Sequence, residues 1–214
     1  PEGKQELFDQ LPEQYSHLYM AIEGKLAAVI CIEDPLRKEA PEVIRRLKQC
    51  GISKVVMMTG DSDRIASTIA HKVGVDEYYS EVLPEDKAKF VENEKKSGRR
   101  VIMIGDGIND SPALSEASVG IAISDGAEIA REIADVTISA DDLYEIATLK
   151  RLSDAMVRRI NKNYHMIVGI NTGLIMLGVA GVFQPTMSAL LHNTSTILIS
   201  LKSMENLLDT GTKL

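Results

Sequence analysis

Apolar and polar positions alternate in short blocks along the first 140 residues, and several blocks predict strands. Leu26–Ile32, Lys54–Met58 and Val101–Ile104 are mostly apolar and contain β-branched residues, which is typical of buried strands. Shorter runs of the same kind, at Val119–Ile123 and Asp135–Ser139, predict two more.

Helices are predicted between these strands. Apolar positions in Val43–Cys50 recur on one helical face before a glycine, Ser62 can cap a helix that runs through His71, and Pro84 can begin another that ends before Gly98. Strands that alternate with helices predict an α/β fold with a doubly wound parallel sheet.

The pattern changes beyond Asp141. An amphipathic helix with several basic residues leads into Met166–Phe183, eighteen residues without a charge, and a second uncharged run covers Thr186–Leu201. At ~1.5 Å per residue the first run approaches the ~30 Å thickness of the hydrocarbon layer. Basic residues precede the first run and Lys202 follows the second, which predicts a transmembrane hairpin with both ends cytoplasmic. The alternative is a buried helical hairpin of a larger soluble protein.

Composition narrows the choice of partners. The chain has 214 residues and a net charge of −7, and this acidic balance argues against nucleic acid as the main partner. Cys31 and Cys50 show no pairing pattern, which predicts a reducing environment. The chain starts at Pro1 without a secretory signal, and we expect it to be part of a longer protein.

The most informative stretch is Gly105–Leu114, which reads GDGINDSPAL and follows a predicted strand. The glycines allow a sharp turn and Pro112 suits the first turn of a helix. Asp106 and Asp110 are then expected at the carboxyl edge of a parallel sheet, where α/β proteins bind ligands. Two carboxylates there predict a Mg²⁺ site that also holds phosphate.

Two further strand-to-helix connections carry groups suited to phosphate. Thr59-Gly60-Asp61 follows the second predicted strand, and Lys87 lies on the helix that Pro84 begins. The first can be a plain turn, because Gly and Asp favour turns. A hydroxyl, an amide, an ammonium group and two carboxylates at successive connections together favour a phosphoryl site.

These motifs resemble those of heavy-metal-transporting P-type ATPases, from about Leu18 to the end of the chain. The matching segments are Asp34-Pro35-Leu36-Arg37, Thr59-Gly60-Asp61, Pro84-Glu85-Asp86-Lys87, Gly105–Leu114 and Val119-Gly120-Ile121-Ala122. The resemblance implies a haloacid-dehalogenase-like fold and an aspartyl-phosphate cycle driven by ATP and Mg²⁺. It also implies three regions: residues 1–33 as the end of a nucleotide-binding domain, 34–148 as a phosphorylation domain, and 149–214 as a membrane-entry helix with two transmembrane helices.

The resemblance implies a role for each matched position. The catalytic positions are Thr59, Gly60, Asp61, Lys87 and Asn109, and the cofactor-binding positions are Asp34, Asp106 and Asp110. Thr59 and Gly60 are expected to bind phosphoryl oxygen and Lys87 to neutralise its charge. Asp106 and Asp110 are expected to bind Mg²⁺, with Asn109 in support.

One family motif does not occur in these residues. The D-K-T-G-T motif, which carries the phosphorylated Asp, is missing, so the segment alone is expected to be inactive and to need an N-terminal part of the same protein. That motif also ends the central strand of the family's sheet. Neighbouring strands would lack a partner, and we expect residues 1–150 alone to be unstable and to aggregate.

The transported ion is expected between the two transmembrane helices. Asn171, His192 and Thr196 are the candidate ligands, because polar side chains are costly in hydrocarbon and mark ion paths. Among the family's ion-specific patterns, the cobalt-type His-Glu-Gly-Gly-Thr is nearest, although Asn193 replaces its carboxylate. Imidazole and oxygen ligands favour a divalent ion. The alternative role for such residues is hydrogen bonding between helices.

Three functions remain open at this point. The motifs and the hairpin favour an ATP-driven metal pump in the bacterial plasma membrane, with the sheet domain in the cytoplasm. A soluble or membrane-tethered phosphatase of the same fold can also carry Gly-Asp-Gly-x-Asn-Asp. A non-catalytic remnant is the third possibility, in which the missing nucleophile is native.

Overall fold

The computed structural model describes residues 10–11, 15–32, 36–106, 109–123, 132–139 and 142–207. Its elements, in chain order, are β1 (Ser16–Ile22), β2 (Lys25–Ile32), α1 (Ala40–Gln49), β3 (Val56–Met58), α2 (Asp63–Val73), β4 (Glu77–Tyr79), α3 (Pro84–Lys96), β5 (Ile102–Gly105), α4 (Ser111–Glu116), β6 (Val119–Ile123), β7 (Val136–Ile138), α5 (Tyr144–Val179) and α6 (Pro185–Ser203). The chain divides into two compact units, residues 1–147 and 148–214.

Strands and helices alternate through the first unit, and the strands from β3 onward pair in parallel. Each helix buries an apolar stripe, such as Val43 and Leu47 of α1 or Ala66 and Ala70 of α2. The predicted starts of two helices agree with the observed ones: Ser62 is the N-cap of α2, and α3 starts at Pro84. The α/β class is therefore confirmed.

The parallel strands do not form the single sheet that the sequence predicted. β3 and β4 make one sheet, and β5, β6 and β7 make another with β6 in the middle. Within the described residues, β3 and β5 are edge strands, since each has one strand partner. Hydrogen-bonding groups along their second edges can therefore accept another strand.

The first unit begins with an antiparallel hairpin of β1 and β2. Its two-residue turn, Glu23 and Gly24, has positive φ at both positions (50° and 75°), which is the conformation that tight hairpins require. Large apolar side chains of the hairpin are exposed, including Leu18 (56%) and Ile22 (59%). The hairpin thus presents apolar surface that the described residues leave uncovered.

The second unit contains most of α5 and all of α6. The predicted membrane-entry helix and first uncharged run form one continuous helix, α5, which ends at Val179 and so before the uncharged run ends at Phe183. Arg159 of α5 donates hydrogen bonds to the carbonyls of Ser203, Glu205 and Asn206, at and beyond the end of α6. Asn163 Nδ2 also donates to Ser203 Oγ over 2.7 Å. These bonds join the end of α6 to the middle of α5.

The predicted pair of transmembrane helices is not shown. Across the part of the chain that the structure describes, each helix is too short or too polar to cross a membrane.

Candidate active site

The loop after β3 holds Thr59, Gly60 and Asp61 in a tight turn. Thr59 Oγ1 donates a hydrogen bond to Asp61 Oδ2 (2.7 Å) and accepts one from the backbone N–H of Asp61 (3.1 Å). The backbone of Thr59 is also fixed, because its N–H donates to the carbonyl of Tyr79 (3.0 Å) and its carbonyl accepts from Val82 (3.0 Å). The Thr59 hydroxyl has one proton to donate. A phosphoryl oxygen that accepts a hydrogen bond from this hydroxyl must therefore replace Asp61 Oδ2 as its acceptor.

Lys87 and Asp110 form an ion pair between two helix N-termini. Pro84 opens α3 and places Lys87 in its first turn, and Asp110 is the N-cap residue of α4. Lys87 Nζ lies 2.8 Å from Asp110 Oδ1, and the two side chains are only 15% and 12% exposed. These two residues are 23 positions apart in the chain, and the sequence analysis expected both in one site. The fold brings their charged groups into direct contact.

Asp106 and Asn109 lie on either side of a short gap in the described residues. Asp106 directly follows β5, Asn109 precedes Asp110, and both are exposed, whereas Asp110 is buried. The two predicted Mg²⁺ carboxylates thus have different surroundings: one is exposed at the tip of a strand, and the other contacts an ammonium group. Asp34 lies outside the described residues.

The donor set at this edge fits Mg²⁺ when phosphate is also present. Within the described residues, no three His, Cys, Asp or Glu side chains come close enough together to hold a metal ion. Mg²⁺ does not need such a cluster, because one or two carboxylates with phosphate oxygens and waters usually complete its octahedron. The exposed carboxylate of Asp106 can supply a hard oxygen ligand of this kind.

The groups whose pKa is clearly shifted belong to surface ion pairs away from these loops. Hydrogen bonds from Arg45 and Arg46 lower the pKa of Glu42 to about 2. Hydrogen bonds from Lys48 and from the backbone N–H of Val55 lower the pKa of Asp76. These groups stay charged at neutral pH. The Glu42 pairs lie within α1, whereas Asp76, the residue before β4, binds Lys48 of α1 and the backbone of Val55.

In the second unit, two of the three candidate ion ligands meet across the hairpin. His192 Nδ1 and Asn171 Oδ1 lie 2.7 Å apart, a hydrogen bond between α6 and α5. Thr196 Oγ1 donates to the His192 carbonyl within its own helix (3.0 Å), and Ser195 does the same (2.8 Å). If His192 donates from Nδ1, its Nε2 carries the lone pair that a metal ion requires.

Sequence reasoning missed two elements of the first unit. It did not predict β1, although apolar residues on both sides of Glu23-Gly24 are a hairpin signal. It also did not predict β4, whose three residues are too few to show a period.

Comparisons with known proteins agree with this arrangement. Residues 1–118 match the family model of the haloacid dehalogenase-like hydrolases. A zinc-exporting P-type ATPase of Mycobacterium marinum is 39% identical over 183 residues, which is 85% of this chain and 25% of that protein. Copper-transporting ATPase 2 of Rhizobium meliloti is 46% identical over 176 residues, which is 82% of this chain and 21% of that protein.

A solved structure extends the similarity to both units. The crystal structure of a zinc-transporting PIB-type ATPase in the E2·Pi state covers 95% of this chain with a TM-score of 0.81 and 28% identity. This chain corresponds to 34% of that structure, and it spans a quarter or less of the two curated relatives. The chain therefore belongs to the haloacid dehalogenase-like hydrolase family, and its resemblance to heavy-metal P-type ATPases is confirmed.

Proposed function

We propose that this chain is part of an ATP-driven pump that moves a metal ion across a membrane through a phosphorylated aspartate. The observation that carries the proposal is the Lys87–Asp110 ion pair, which joins two strand-to-helix connections at 2.8 Å. The Asp110 carboxyl group also lies against Gly105, which directly precedes the exposed Asp106. A nearly buried ammonium group and an exposed carboxylate are groups suited to binding a phosphoryl group and its Mg²⁺.

Each residue then has a distinct role in phosphoryl transfer. Asp106 binds Mg²⁺, which neutralises developing charge on the phosphoryl oxygens. Asp110 holds the Lys87 ammonium in place, and Lys87 contacts a phosphoryl oxygen. Catalysis of this kind depends on positioning and charge, so small displacements of these groups matter.

The remaining site residues complete the phosphoryl pocket. The Thr59 hydroxyl and the Gly60 amide donate to phosphoryl oxygens, and Asp61 holds the Thr59 hydroxyl until phosphate arrives. Asn109 supports Asp106 from the start of the next helix, and Asp34 contributes to cofactor binding.

The nucleophile comes from another part of the whole protein. These 214 residues contain no D-K-T-G-T motif. A further parallel strand could pair with the open edges of β3 and β5 and bring an aspartate to the carboxyl end of the sheet, near Asp106. The segment is accordingly proposed to supply the Mg²⁺- and phosphate-binding half of the site and not to hydrolyse ATP by itself.

The helical unit is proposed to lie in the membrane of the whole protein, with the sheet domain on the cytoplasmic side of a bacterial plasma membrane. Support comes from the uncharged runs in 166–183 and 186–201, from Lys162 and Lys202 near their outer ends, and from the exposure of Ile175, Leu198 and other apolar side chains.

The ion is proposed to pass between α5 and α6 beside His192. The hydrogen bond that His192 Nδ1 donates to Asn171 Oδ1 orients the imidazole and leaves Nε2 for the metal, and Thr196 can add an oxygen ligand. Imidazole and oxygen ligands suit a divalent transition metal ion.

One experiment tests the pump directly. The full-length protein is incubated with radiolabelled ATP, with and without Mg²⁺, across a panel of divalent ions and Cu⁺. We expect an acid-stable phosphoenzyme that needs Mg²⁺ and responds to particular metals, and Asp106→Asn should abolish it. Normal phosphoenzyme in Asp106→Asn would refute the Mg²⁺ assignment. Hydrolysis of small phosphate esters without any response to metals would favour a phosphatase of the same fold.

A further inference from the structure

We propose that Gly105 is a positioning residue, because the space left by its missing side chain is the space that the Asp110 carboxyl group occupies. The packing part of this proposal rests on the structure alone. Its consequence for phosphoryl transfer rests on the proposed function.

Gly105 is the last residue of β5 and pairs with Ala122 of β6, which is fully buried. A Cβ atom on Gly105 would lie 2.7 Å from Asp110 Cβ and 2.8 Å from Asp110 Cγ, and it would also overlap Asp110 Oδ2. Non-bonded carbon atoms pack at about 3.5–4.0 Å, so these positions exclude each other. The φ angle of Gly105 is not positive, so glycine is required here for space.

Asp110 can move away only if the start of its helix shifts, and the tight packing of α4 on the sheet opposes that shift. Ala113 and Leu114 of α4 are 0% and 1% exposed. A Cβ on Gly120 of β6 would lie only 2.7 Å from the Leu114 carbonyl oxygen, which shows how closely α4 approaches β6. Rotation of the Asp110 side chain cannot relieve the 2.7 Å contact with Asp110 Cβ, because the backbone fixes that atom. The strain of an added methyl group at position 105 must therefore fall on the start of α4 together with the Asp110 carboxyl group.

The two oxygens of Asp110 face different neighbours. Oδ1 contacts Lys87 Nζ at 2.8 Å, and Oδ2 lies over Gly105. A methyl group at position 105 pushes on Cβ, Cγ and Oδ2 of Asp110 together and so displaces Oδ1 from Lys87. Gly105→Ala thus acts on Lys87 through Asp110, which supplies the three atoms nearest to the added methyl group.

The first measurement is the rate of phosphoenzyme formation in the full-length protein. We expect Gly105→Ala to slow it by about 100-fold, the size of effect that a 1 Å displacement of a catalytic group produces. Binding of ATP, measured with a fluorescent analogue, should be unchanged. The substitution lies outside residues 1–33, the part of this chain that the resemblance assigns to the nucleotide-binding domain. A normal rate in Gly105→Ala would overturn the proposal.

The second measurement separates positioning from general damage to the fold. Hydrogen exchange of the α4 amides is compared for Gly105→Ala made in the wild-type protein and made in Asp110→Gly, which has neither the carboxyl group nor its Cβ. We expect Gly105→Ala to accelerate exchange in the wild-type background and to have little effect in Asp110→Gly. Equal acceleration in both backgrounds would overturn the proposal. If Asp110→Gly does not fold, Lys87→Met with Asp110→Gly replaces it, since that pair leaves no buried charge.

The two measurements test the two parts of the proposal separately. If the wild-type protein forms no phosphoenzyme, the proposed function fails, and the exchange comparison still decides whether Gly105 positions Asp110.

Discussion

The Lys87–Asp110 ion pair gives the sharpest test of the site. Asp110→Asn keeps the size of the side chain and removes its charge, which leaves the Lys87 ammonium nearly buried without a counter-charge. We expect this substitution to destabilise the packing of α3 against α4 and to abolish phosphoenzyme formation.

The size of the effect follows from the distance and the burial. At an effective dielectric constant of about 20, two unit charges 2.8 Å apart attract each other by roughly 6 kcal/mol. The cost of taking both charges out of water offsets much of this attraction. Removing one partner costs about 3–5 kcal/mol, because the other charge stays buried. Local opening should therefore become more frequent by at least about a hundredfold, at 1.4 kcal/mol for each factor of ten.

Hydrogen exchange of the full-length protein measures this change, because it reports local opening without requiring two-state unfolding. The amides of α4 should exchange faster in Asp110→Asn. Lys87→Met combined with Asp110→Asn should recover much of the protection, since no unpaired charge remains. Glu92→Gln is the matched control: it breaks an exposed ion pair with Lys96 in α3, where both side chains are about half or more exposed and the expected effect is below about 1 kcal/mol.

Two results would refute this reasoning. Unchanged exchange in Asp110→Asn would mean that the pair contributes nothing to the packing of α4. A double variant that is less protected than the Asp110→Asn variant would mean that Lys87 is stabilised by some other group.

Three further predictions test other parts of the molecule. Thr59→Ala should slow phosphoenzyme formation in the full-length protein, and Thr59→Ser should restore it; equal rates in both variants would exclude a role for the hydroxyl. His192→Ala should change which metal ions stimulate ATP hydrolysis and leave Mg²⁺-dependent phosphorylation intact; an unchanged metal response would mean that His192 only packs and hydrogen-bonds between the two helices. Residues 1–150 alone should aggregate because β3 and β5 each have one strand partner among the described residues, which leaves an edge of each unpaired; a sharp cooperative melt would contradict this.

Much of the first unit was predictable, because its helices carry local signals. Pro84 marks the start of α3 and Ser62 that of α2, and the apolar face of α1 repeats at helical spacing. Local chemistry determines such boundaries. The division of the parallel strands into two sheets was not predictable in the same way, because the pairing of β3 and β5 depends on partners distant in the chain.

The site, too, was predictable in part. The residues of the GDGINDSPAL stretch could be selected from their types and order, since carboxylates after a strand suit Mg²⁺ and phosphate. The resemblance assigned Asp106 and Asp110 to Mg²⁺ together and did not distinguish their surroundings. Only the packing shows that Asp110 contacts Lys87 while Asp106 is exposed, and that Gly105 leaves the space that Asp110 fills.

The sequence by itself determined the α/β class, the starts of α2 and α3 and the candidate residues for phosphate chemistry, because these depend on local propensity and on residue type. The tertiary structure decided which charges meet, since the Lys87–Asp110 distance depends on how α4 packs on β5 and β6. It also decided that Asn171 and His192 contact each other across a helical hairpin. Contacts between residues more than 20 positions apart are properties of packing, and no short stretch of sequence contains them.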